Sequence, residues 1–74
     1  MKRAFREGDI VRNLRPVTAR VIGERREVQI QSGSVGAVVT VYAAGLVIKA
    51  YEVEFHMIPD VYALATIDAD DVTA

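Results

Sequence analysis

Gly33-Ser34-Val35-Gly36-Ala37-Val38-Val39-Thr40-Val41-Tyr42, followed after a short turn by Tyr51-Glu52-Val53-Glu54-Phe55, decides the fold of this 74-residue chain. A glycine turn feeds an apolar, β-branched run. The second segment then alternates strictly, with Tyr51, Val53 and Phe55 predicted to face inward and Glu52 and Glu54 outward. Burying Phe55 alone contributes on the order of 2 kcal/mol. Gly36 lies inside the first run, where glycine marks a bulge or a close backbone approach. A bulge also accounts for the loss of alternation at Val38, Val39 and Val41.

Working outward, Gly8-Asp9 signals a turn and residues 10–14 read as the first strand, stopped by Pro16. Residues 17–30 read as a hairpin excursion turning at Gly23, comparable to the long first loop of a small barrel and predicted to project. Gly33 centres the next turn. The chain turns again at Ala43-Ala44-Gly45 and returns through Leu46, Val47 and Ile48. Pro59-Asp60 is another turn, and residues 61–67 form the last long strand without revealing which face is buried. Asp68 is predicted to cap a short helical turn, after which Val72 tucks onto the core. Residues 1–7 are expected to be a loose arm. Valine, isoleucine and threonine make up nearly a third of the chain, and no helical stripe is sustained. The expectation is therefore one all-β domain over residues 1–74, a small barrel of about five strands.

Size and composition exclude several functions. A chain this short buries only about 60% of its unfolded surface. It has no cysteine to staple it, which suits a reducing cytoplasm, and one histidine, too few for an ordinary zinc site. At 51% hydrophobic, the sequence carries more apolar surface than one small core can enclose. Self-association, most simply a two-fold dimer, follows as the expectation. Residues 28–48 are uncharged and long enough to span a bilayer, but Gln29, Gln31, Ser32, Ser34, Gly33, Gly36 and Gly45 interrupt them. Two strands and a turn explain them better, and no apolar signal segment follows the basic start.

Charge divides unevenly along the chain. Residues 1–26 carry eight basic and three acidic side chains; residues 27–74 carry one basic and seven acidic. This pattern fits either a basic surface for nucleic acid or charge complementarity between the two halves. For nucleic acid the candidate contacts are Arg20, Arg25 and Arg26, on and around the first hairpin, within a wider set of Arg3, Arg6, Arg12 and Arg15. For a protein interface the candidates are Leu46, Val47, Ile48, Met57 and Ile58, the apolar surplus near the second hairpin.

Catalytic chemistry finds little support. His56 is the lone histidine, Ser32 and Ser34 are its only conceivable partners nearby in the pattern, and nothing in the sequence brings them together. Glu52 and Glu54 share one strand face, but that face is predicted to be open to water, where their repulsion is screened. Asp68, Asp70 and Asp71 lack the glycine and distal glutamate of a calcium loop. Gly33-Ser34-Val35-Gly36 is followed by a strand and not by the helix that a phosphate loop requires. No cofactor and no metal is implied, and the chain reads as a non-enzyme.

Several of these landmarks together resemble the domain-of-unknown-function family 4926, short bacterial proteins. They are Asp9-Ile10-Val11, the run from Gly33 to Tyr42, Tyr51-Glu52-Val53-Glu54-Phe55, and Ala63-Leu64-Ala65-Thr66-Ile67 with Asp71-Val72. Residues 17–30 are longer than the family's usual first connection. The resemblance implies an SH3-like barrel and no known activity. It also implies an accessory role, such as an antitoxin or immunity-type partner of a neighbouring gene product. Gly8-Asp9-Ile10-Val11 and the Gly-x-x-Gly-x-Val turn are similar to KOW segments of nucleic-acid-associated barrels, an analogy of fold that does not fix function.

Overall fold

Alternation in the second quoted segment becomes the central strand of the protein. In the computed structural model, which describes residues 4–57 and 59–74, Tyr51, Val53 and Phe55 are all buried. They belong to β5 (Val47–Met57), which hydrogen-bonds to β4 (Val35–Ala44) on one side and β6 (Val61–Asp68) on the other. The other strands are β1 (Ile10–Asn13), β2 (Val17–Val21), β3 (Glu27–Ile30) and β7 (Val72–Thr73), and a 3₁₀ turn, Ala69–Asp71, precedes β7. They make a single sheet in the order β3-β2-β6-β5-β4-β1-β7, with every pairing antiparallel.

The sheet curls. Ile30 of β3 and Val72 of β7 stand at opposite ends of the strand order, yet both belong to the one core formed with Val11, Val38, Tyr51, Val53 and Phe55. Among the described residues, the two ends meet through Asn13 and not through a ladder. Asn13 is 2% exposed and is the one buried polar side chain among the described residues. Its Nδ2 donates to the carbonyls of Arg15 (2.7 Å) and Gln31 (3.0 Å), and its Oδ1 accepts the Ser34 N–H (2.9 Å). Its own carbonyl accepts the Gly33 N–H at 2.7 Å, where Gly33 holds φ at +80°. One asparagine thus joins β1 to the turn that follows β3, drawing the sheet into a half-barrel.

Several expectations are corrected by this architecture. There are seven strands and not five, for two reasons. Residues 17–30 do not project: β2 pairs with β6 and turns Ala19 and Val21 inward, while β3 pairs with β2 and buries Ile30. The chain end then adds β7, pairing Val72 and Thr73 with Asn13 and Arg12. The N-terminal segment is not loose at Phe5, which is 4% exposed. Its ring meets Tyr51 edge-on with centroids 5.7 Å apart, and its N–H donates to the Tyr51 hydroxyl at 3.0 Å. Asp68 makes no side-chain cap on the 3₁₀ turn. On the outer face, Tyr42 and Tyr62 are exposed.

Both glycine readings of the valine run survive, at separate residues. The bulge sits at Val39, where the register steps from Val38 opposite Val53 to Thr40 opposite Glu52. Gly36 supplies the close approach: a Cβ there would lie 2.6 Å from Val53 Cγ1, 2.9 Å from the Glu54 carbonyl and 3.0 Å from Phe55 Cδ1. On β6 the buried face is the one carrying Ala63, Ala65 and Ile67.

Three substitutions test this architecture through urea unfolding. Asn13→Ala strands the Ser34 N–H and two carbonyls and is expected to cost about 2–4 kcal/mol. Asn13→Asp is also destabilising, because it replaces both donated hydrogen bonds by repulsion between oxygens. Gly36→Ala is expected to cost about 1–3 kcal/mol through overpacking against β5. A wild-type midpoint for either Asn13 variant removes the clasp as the element that shapes the sheet.

Candidate functional site

Strands β4 and β5 outrun their neighbours. β1 pairs with β4 only across Val35, Gly36 and Ala37, and Gly8 and Asp9 add bonds at Val38. β6 pairs with β5 from Met57 back to Ala50 and goes no further. Residues 43–49 therefore extend beyond both flanks as a two-stranded ribbon, an arrangement of marginal stability by itself. Ala43, Ala44, Leu46 and Val47 are exposed there, Leu46 at 104% and Val47 at 56%. Ile48 is half-buried and packs on the core. Between this ribbon and the 3₁₀ turn lies a cleft of ≈ 320 Å³ lined by Ala4, Ile48, Tyr51, Ala69 and Asp70 among others.

The predicted interface set is divided by this geometry. Leu46, Val47 and Ile48 lie together, but Met57 is at the opposite end of the 11-residue β5, half-buried against the core. Ten residue steps along the strand separate Val47 from Met57, on the order of 30 Å of extended chain. Ile58 lies outside the described residues.

The arginines do not gather into a positive stripe among the described residues. Arg20 stands directly opposite Glu27 on β3 and lines a groove of ≈ 660 Å³ with Thr18, Glu52 and Thr66. Arg25 borders the same groove beside Glu24. Arg26 Nε is 3.4 Å from Glu24 Oε1, a half-exposed pair that contributes little. Arg12 donates to the Gly33 carbonyl at 2.9 Å, and Arg15 Nε lies 3.4 Å from Asp71 Oδ1, a contact between the basic and acidic halves of the chain. Arg3 lies outside the described residues.

His56 and Ser34 are each engaged elsewhere. The Ser34 hydroxyl donates to the Gln31 carbonyl at 2.6 Å, inside the turn that Asn13 clasps. His56 sits opposite Tyr62 across the β5–β6 ladder, and their rings stack at 4.4 Å and 7°. Of the aspartates, Asp71 faces Arg15, and its carbonyl accepts the Leu14 N–H at 2.8 Å.

Two outer-face pairs escape a sequence reading. His56 with Tyr62 is one. The other is Tyr42 with Glu52, whose carboxylate Oε2 accepts the Tyr42 hydroxyl at 2.8 Å. Hairpin register is the signal that finds the first, since both residues flank the Pro59-Asp60 turn. The second is displaced from simple register by the Val39 bulge. The hydrogen bond to Glu52 raises the Tyr42 pKa above its ordinary value, with desolvation and the Glu52 charge adding in the same direction. No family model, no curated protein and no solved structure matches this chain.

Tyr42 offers a direct check of this outer face. The protonated phenol is the form that the fold favours, so its stabilising contribution is present below the ordinary tyrosine pKa and is lost as pH rises through the raised value. Ultraviolet titration should show one tyrosine ionising later than in the unfolded chain. Glu52→Gln is expected to return it toward the ordinary value. An unchanged titration in that variant removes the Tyr42–Glu52 bond.

Proposed function

We propose that this chain is a non-catalytic protein-interaction module, an SH3-like half-barrel that associates with a second copy through its apolar ribbon tip. One observation carries the reading: Leu46, at 104% exposure, crowns a hairpin tip whose neighbours Ala43, Ala44 and Val47 are also apolar and open to water. Exposed apolar surface of this kind marks an interface. The SH3-like assignment, and with it the resemblance to family 4926, draws support from the curled antiparallel sheet and from the 3₁₀ turn before a short last strand. The cysteine-free composition suits a reducing cytoplasm. The antitoxin or immunity-type role is a variant of the same reading, in which the ribbon end meets a neighbouring gene product.

A nucleic-acid role would fall to Arg20, Arg25 and Arg26. Glu24, Glu27 and Glu52 stand among them, so a phosphate backbone approaching the groove meets carboxylates as often as guanidinium groups. The interaction reading is therefore preferred.

Light scattering on a sizing column tests it. The expected mass is two chains, twice 8.1 kDa, at high micromolar concentration. Leu46→Asp should weaken the dimer at least tenfold, about 1.4 kcal/mol, while leaving the unfolding midpoint of the single chain unchanged. A one-chain mass over the whole concentration range overturns the reading. Salt-sensitive binding of DNA or RNA that is lost on Arg20→Ala would favour the nucleic-acid role instead.

A further inference from the structure

The backbone of β4 is open along the side that faces away from β5. At Val38 the N–H donates to the Asp9 carbonyl (2.9 Å) and the C=O accepts from Gly8 (2.8 Å), so this residue turns its polar groups away from β5. The Val39 bulge follows. Alternation beyond it aims the N–H and C=O of Val41 and Ala43 to that same side. Among the described residues no strand lies there.

The sheet's other edges are blunted in the ways proteins ordinarily use. β3 carries Glu27, follows Arg25 and Arg26, and leads into the turn held by Asn13. β7 is two residues long. The free flank of β5 near the ribbon end carries Lys49. The β4 flank beyond Val38 lacks a charge, a proline or a cover among the described residues, and it consists of Val39, Thr40, Val41, Tyr42, Ala43 and Ala44. These are mostly strand-favouring residues, with Val39 and Tyr42 both exposed.

We infer that two copies join their β4 edges antiparallel about a two-fold axis, running the two half-barrels into one continuous sheet. This rests on the self-association reading and names its geometry. A two-fold pairing sets residue i against j and j against i, so a charge at or near the axis would meet its own copy. This edge has none to oppose. An unpaired row of amides and carbonyls is satisfied by another strand, and an identical strand brings the matching row. The exposed Leu46 and Val47 then lie at the flank of the new ladder, where they add apolar cover.

Hydrogen exchange on the wild-type chain, followed residue by residue against concentration, tests the pairing. The Val41 and Ala43 amides should exchange on the order of 100-fold more slowly in the dimer than in the dilute single chain. The Tyr42 amide, already facing β5, should change little. Ala43→Lys, which touches no core residue, should return the mass to one chain at concentrations where the wild type shows two. A wild type that is one chain throughout removes the self-association reading and this inference together. A dimer whose Val41 and Ala43 amides exchange at the single-chain rate, or one that survives Ala43→Lys, removes the edge pairing and leaves self-association standing. Slow exchange at every concentration assigns the edge to a segment of the same chain and overturns the pairing.

Discussion

The hydrogen bonds of Asn13 are the constraint on which the rest of the structure depends. A seven-stranded sheet built from so short a chain has two problems: its inner face must be enclosed, and its terminal strands expose backbone. Full ladder closure would solve both, but β1, β3 and β7 are only four, four and two residues long. One amide side chain instead bridges β1 to the turn after β3, using both of its N–H donors and its oxygen. A buried amide left unpaired costs about 1–3 kcal/mol, so the group is stabilising only because all three partners are in place. That makes the clasp specific: a slip of β1 by one residue would place Asn13 on the outer face and Arg12 inside.

Much of the fold is legible in the residues, and where it is not the reason is physical. The pattern at Tyr51, Val53 and Phe55 is readable because β5 has one dry face and one wetted by glutamates. β6 is not, because its buried positions hold the small Ala63 and Ala65 while the larger Tyr62 and Leu64 lie outward. Opposite the buried Val53 and Phe55, the β6 face carries only the methyl groups of Ala65 and Ala63, and a large apolar residue stands there only at Ile67, opposite Tyr51. β2 and β3 were readable as a hairpin, yet their place in the sheet depends on pairing with β6, far along the chain. Phe5 is a lone aromatic among charged and small residues, and its burial draws on the distant Tyr51, which no local pattern announces.

The candidate site was legible in part for a related reason. A stretch of 21 residues without charge, 28–48, is visible in any reading of the chain. Which portion of it becomes core and which stays open depends on where β1 and β6 stop pairing, a matter of relative strand length and not of local composition. Met57 fell out of the set because residues at the two ends of a long strand cannot share a patch. The arginine set lost its coherence because cross-strand register places acids among the bases, as Arg20 opposite Glu27 shows.

The extra residue at Val39 has a consequence for how sequences of this type can be compared. It shifts the phase of β4, so that Val38 and Val41 both face the interior although three positions apart. An insertion or deletion of one residue in this strand is therefore not a neutral length change: it would exchange Val41 for Tyr42 on the inner surface. Any alignment gap opened between Gly36 and Tyr51 carries a statement about which side chains are wet. Phase, more than residue identity, is what descendants of this chain would have to preserve.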